Sequence, residues 1–76
     1  MHFLLVYNVA AGRLISLEPY AAADRAVALE RRFALEREHM GDPNLEVIVL
    51  TAESLAALRH THARYFKNVQ ELAGGS

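Results

Sequence analysis

The chain contains no cysteine and no tryptophan, and only two prolines and four glycines in 76 residues. Without cysteine, neither a disulfide framework nor a thiolate metal site is available. Charge of one sign is also lacking. Eight Lys and Arg against nine Asp and Glu leave a formal net charge of -1, so no overall field draws the chain onto nucleic acid or an anionic membrane. No apolar run approaches the roughly 20 residues that a membrane-spanning helix needs. Met1 to Ala10 lacks the charged start, long apolar stretch and cleavage site of a secretory signal, and a cytoplasmic location is the expectation. A domain of this size buries only about 60% of the surface its unfolded chain exposes. With disulfides closed off, self-association is the first expected source of added stability. Seven of the eight basic residues are Arg and thirteen residues are Ala, a bias that suggests a GC-rich bacterial genome.

What the sequence does have is apolar patterning. His2 to Ala10 is a continuous apolar run with Phe3, Leu5, Tyr7 and Val9 on one side and Leu4 and Val6 on the other, which predicts a central strand covered on both faces. Gly12 permits a tight reversal. Arg13 to Glu18 then alternates, with Ile15 and Leu17 opposite Ser16 and Glu18, as an edge strand does. Pro19 is expected to stop it. Residues 21–40 are good helix formers with no internal Gly or Pro. Ala22, Ala26, Leu29, Phe33 and Met40 fall within a narrow arc of that helix, which predicts a core-facing stripe. Gly41 to Asn44 is a turn cluster, Leu45 to Leu50 reads as a third strand, and Thr51 is expected to cap a second helix with Glu53 in its first turn.

These elements predict an α+β fold of ββαβα topology, a two-layer sandwich in which a three-stranded sheet of order 2-1-3 carries both helices on one face. A right-handed crossover from strand two to strand three fixes the side of the first helix. Residues 1–73 are expected to form one domain, with Gly74 to Ser76 a flexible tail or an expression scar. Phe33, Val47, Val49, Leu58 and Phe66 are the expected core, and alanine at Phe33 or Phe66 is expected to cost about 3 to 5 kcal/mol.

Continued from Leu55 as one helix, Leu58, His62, Tyr65, Phe66, Val69 and Leu72 share an apolar face. The opposite side presents His60, Arg64, Lys67 and Glu71, with Arg59 at the border. Arg59, His60, Arg64 and Lys67 are therefore a candidate surface for a protein partner, phosphate or RNA, although a solvated helix face is the commoner meaning of such a run. His62, at the middle of the apolar arc with Tyr65 beside it, is a candidate buried switch. A core histidine bonded to its surroundings is the commoner outcome. His60 and His62, two apart on a helix, point about 200° away from each other and cannot share one ion, and Glu36 and Glu38 are separated in the same way. No metal or cofactor is expected, and no set of nucleophile, base and orienting group supports an enzyme. On the first helix, Val27, Ala34 and Leu35 lie outside the main stripe among charges, a hint of a partner surface.

The stretch from Leu45 to Phe66, an apolar strand followed by Ser54, Leu55, Leu58, Arg59, Thr61, His62, Ala63, Arg64, Tyr65 and Phe66, resembles short uncharacterised proteins of actinobacteria. The resemblance covers about the last third of the chain and implies no activity. The function these features favour is a small non-enzymatic interaction module, working as a homodimer or as an accessory subunit of a larger partner. A nucleic-acid or ribosome-associated protein using the basic helix face is the alternative. The expected dimer rests on Leu4, Val6, Ile48 and Leu50, which supply apolar side chains to both sheet faces when a single helical layer covers only one.

Overall fold

Strand β1 (His2–Asn8) lies at the middle of an antiparallel sheet of order β2-β1-β3, between β2 (Arg13–Tyr20) and β3 (Leu45–Thr51). The structure is a computed structural model and describes residues 1–67. Phe3 and Leu5 on one face of β1 and Leu4 and Val6 on the other are all buried, which requires a neighbour on each side and cover above and below. Gly12, at φ +65°, turns the chain from β1 into β2, a left-handed conformation that costs glycine nothing. β3 sets Val49 and Val47 beside Leu4 and Val6, and Leu50 and Ile48 beside Phe3 and Leu5. The ββαβα order and the sheet order agree with the sequence pattern.

Two details of β2 differ from expectation. The strand runs through Pro19, which pairs in register with Phe3. An edge strand tolerates proline because its outer N–H row has no partner to lose. The register also slips: Val6 opposes Ser16 while Tyr7 opposes Leu14. Ile15 is the extra residue of this bulge and stands exposed, and Leu14 takes its place beside Leu17 against the core.

β2 and β3 are both antiparallel to β1 and hence parallel to each other, so helix α1 (Arg25–Glu38) is the crossover between them. It packs Leu35 onto Leu4 and Val6, with Leu45, Val47 and Val49 around them. Helix α2 (Leu55–Thr61) and the 3-10 turn Ala63–Phe66 instead pack Leu58, Tyr65 and Phe66 onto Phe3 and Leu5. The helices therefore lie on opposite faces of the sheet, which corrects the expectation of both on one face. Crossover handedness constrains α1 alone. After β3 the chain reaches no further described strand, and α2 is free to cover the face that α1 leaves open.

The face that α1 turns to the sheet is a second correction. Ala28 and Leu35 are buried, whereas Ala22 and Ala26 are exposed, Leu29 is half-buried, and Phe33 and Met40 are 53% and 82% exposed. The predicted core stripe lies about 140° around the helix from the seat, taking 100° per residue. The small Ala28 lets the backbone come close to the sheet. Arg31, on the seat's flank, reaches Glu18 of β2 at 3.5 Å, and the same carboxylate oxygen accepts the Tyr20 hydroxyl at 2.7 Å. Val47 and Val49 are half-buried rather than inaccessible, as fits the outer position of β3.

His2 is the one buried polar side chain among the described residues. Its Nε2 donates to the Ala22 carbonyl at 3.2 Å and its Nδ1 shares a hydrogen bond with the Thr51 hydroxyl at 2.9 Å. Thr51 is thereby occupied, and the cap of α2 is Ser54, whose hydroxyl oxygen accepts the Ala57 N–H at 3.1 Å. Leu58→Ala is expected to cost about 2 to 5 kcal/mol, and Phe33→Ala less than about 1 kcal/mol, as for a surface position. Equilibrium urea unfolding measures both. Equal losses would mean that α1 faces the sheet through its other side.

Candidate functional site

The C-terminal segment does not continue as one helix. α2 ends at Thr61, and His62, at φ -122° and ψ 46°, leaves the helical region before the 3-10 turn begins. Thr61 is β-branched and turns its hydroxyl back to the Ala57 carbonyl at 3.0 Å, a local bond that competes with helix continuation. The break aims Tyr65 and Phe66 into the sheet face together, which an unbroken helix does with residues three or four apart. The expected basic stripe depended on that unbroken helix. The positions Val69, Glu71 and Leu72, and the tail from Gly74 to Ser76, lie outside the described residues.

Each basic group has its own setting. Arg59 is half-buried with its guanidinium 5.7 Å from the centre of the Phe66 ring, a cation–π distance. Arg64 lies over the Tyr65 ring at 4.5 Å and donates to the Tyr65 hydroxyl at 2.6 Å. His60 and Lys67 are exposed. His62 is half-buried, 6.4 Å from Tyr65 ring to ring, so it borders the core rather than standing at its middle.

Tyr65 is the centre of a polar group that spacing did not reveal. Its ring is buried edge-on against Tyr7, with centroids 5.0 Å apart at 88°. Its hydroxyl donates to Glu46 at 2.6 Å while accepting from Arg64, and Arg64 reaches the same carboxylate oxygen at 3.5 Å. Glu46 is the cross-strand partner of Tyr7, which is how the sheet brings it to Tyr65. The alternation of β3 places Glu46 on the face of Ile48 and Leu50, and that parity was the available signal. The arrangement holds the last described turn against the sheet. Within it the Tyr65 hydroxyl, one carboxylate oxygen of Glu46 and one guanidinium nitrogen of Arg64 are engaged with one another. Among the described residues no group of three or more His, Cys, Asp and Glu is placed to hold a metal ion.

The other candidate surface is the outer side of α1. Phe33 and Met40, with Glu36 and Arg37, line a shallow depression, and Leu29 and Ala26 continue its apolar floor toward the helix start. Arg32 pairs with Glu36 at 2.8 Å, whereas Glu30 and Arg37 make no ion pair among the described residues. Of the three residues that hinted at a partner surface, Val27 is exposed, Ala34 half-buried and Leu35 part of the core. The apolar surface is displaced from them to the Phe33 side.

No family model, no curated protein and no solved structure matches the chain.

Burial of the ring is the larger cause, and the Glu46 acceptor the next, that push the Tyr65 phenol above its ordinary range, with Arg64 opposing. A phenol that keeps its proton to higher pH when folded contributes stability that is complete below the ordinary value near 10 and is lost as pH rises through the folded value. Tyr65→Phe is expected to remove that alkaline loss and to cost about 1 kcal/mol at neutral pH through the missing hydrogen bond. Absorbance titration of tyrosinate checks it. In the parent Tyr65 should ionise late, as should Tyr20, held by the Glu18 acceptor, and the variant should lose the Tyr65 step and keep that of Tyr20. Ionisation of Tyr65 alongside free tyrosine would contradict the assignment.

Proposed function

We propose that the protein is a small non-enzymatic interaction module, acting as a homodimer or as an accessory subunit of a larger partner, and that its docking surface is the outer stripe of α1. The observation that carries this reading is the exposure of Phe33 on α1 and of Met40 just beyond its end, 53% and 82%, while the residues that α1 buries are Ala28 and Leu35. Large apolar side chains grouped on one side of an otherwise charged helix mark association sites more often than chance exposure does. Both sheet faces already have helical cover, and the exposed apolar side chain left on the strands is Ile15 at the bulge of the edge strand, whereas Phe33 and Met40 lie together beside one depression.

A nucleic-acid or ribosome-associated role has less support. It requires Arg59, His60, Arg64 and Lys67 to act together, and Arg59 and Arg64 are already engaged with Phe66, Tyr65 and Glu46. Its signature is a steep fall of affinity with salt, which apolar docking does not show.

The docking reading is tested by Phe33→Asp and Met40→Asp. Both variants are expected to melt within a few degrees of the parent. Both are expected to lose association, read as the yield of a photo-crosslinker placed at Leu29 in the native host. An unchanged crosslinking yield in both variants would refute the α1 surface.

A further inference from the structure

Resting on that docking reading, we propose that the occupant of the α1 stripe is the same stripe of a second copy, packed antiparallel about a twofold axis that passes near Phe33 and Ala34. The argument is the charge arrangement. Glu30 and Arg37 are seven residues apart on the same flank of the stripe, exposed, and without an ion-pair partner among the described residues. They lie symmetrically about the point between Phe33 and Ala34. An antiparallel pair centred there sets Glu30 of each copy against Arg37 of the other, twice. Arg32 and Glu36, symmetric about Ala34, complement each other in the same way, and their bond within one helix at 2.8 Å can be shared across the pair.

A parallel pair does worse. It sets Arg32 of one copy beside Arg37 of the other and places the two helix dipoles side by side in the same direction, like end beside like end. The apolar relief also fits an antiparallel partner. The depression between Phe33 and Met40, rimmed by Glu36 and Arg37, receives Leu29 or Phe33 from the opposite direction, with the small Ala26 facing the long Met40. The net charge of -1 sets no general repulsion between copies. Helix α1, Arg25–Glu38, is about 21 Å long at 1.5 Å per residue. One helix face of this length is at the low end of specific interfaces, so the expected affinity is micromolar.

The test is analytical ultracentrifugation of the full chain from low micromolar to near millimolar concentration, with far-UV circular dichroism to verify the fold of every variant. The parent is expected to dimerise. Glu30→Arg alone and Arg37→Glu alone each turn both cross-copy pairs into like-charge contacts, and each is expected to raise the dimer Kd roughly tenfold. The double variant is expected to return to within about threefold of the parent. An equimolar mixture of the two single variants is expected to form the heterodimer more tightly than either forms its homodimer. A dimer indifferent to both single replacements overturns the antiparallel register. A parent that stays monomeric at the highest concentration overturns the second copy as occupant, while the crosslinking experiment above still decides the docking reading. A dimer that survives Phe33→Asp overturns both.

Discussion

Everything in this fold follows from one constraint: a central strand whose two faces are both apolar and must both be covered. Phe3 and Leu5 point one way and Leu4 and Val6 the other, and a chain of this length has two helical segments to spend on them. One crosses from β2 to β3 and the other follows β3, so each face receives one. The division is unequal. Leu58, Tyr65 and Phe66 seal the first face, whereas the second is closed by Leu35, with Ala28 allowing close approach. The larger apolar side chains of α1 are consequently surplus to the seat and stand outside. Covering an exposed side chain such as Phe33 or Met40 is worth about 1.5 to 3 kcal/mol when complete, a large fraction of the stability of a small domain.

Polar contacts close the sheet at both ends. At one, His2 joins Thr51 at the end of β3 to the Ala22 carbonyl at the entry of α1. At the other, Tyr65 meets Glu46, the cross-strand neighbour of Tyr7, under the guanidinium of Arg64. Both tie a helical segment to β3, a strand with no fully buried residue. Such bonds add modestly to stability but cost more to leave unmade in a buried setting. They give His2 and Tyr65 a structural role, since each joins elements of the fold.

The strands, their order and the central place of β1 were legible because alternation and doubly apolar runs are local properties. The seat of α1 was not. The helix has apolar residues on two sides, and a helical wheel ranks them by bulk, whereas the seat was chosen by the closeness that Ala28 permits and by Glu18 waiting for Arg31. The bulge at Ile15 and the break at His62 were hidden for a related reason. Each shifts the phase of everything beyond it, so Leu14 replaced Ile15 and the basic stripe beyond Thr61 lost its periodicity. Leu58 and Phe66 are buried as expected, in one cluster with Phe3, Leu5 and Tyr65, because Leu58 precedes the break and Phe66 is turned back onto the same sheet face after it. Of the candidate site residues, Tyr65 and Arg64 come together, and Arg59 goes to Phe66 instead.

A surface carried by α1 suits association for a physical reason. The crossover helix is tied to a strand at both ends, by Glu18 and Leu35 along its seat and by the His2 bond at its entry, so its outward face is held in one orientation before any partner arrives. Binding then requires little ordering of backbone, which is the main cost that weak interfaces fail to overcome. Side-chain adaptation is supplied locally. Met40, at the helix end, has three rotatable bonds and a polarizable sulfur, and Phe33, with two, provides the rigid anchor. Flanking charges of both signs keep the stripe soluble in the free chain and choose its partner by register. A stripe of bulk alone would attract any apolar surface. In the proposed pair, it is the spacing of Glu30 and Arg37 about the point between Phe33 and Ala34 that adds specificity to exposure.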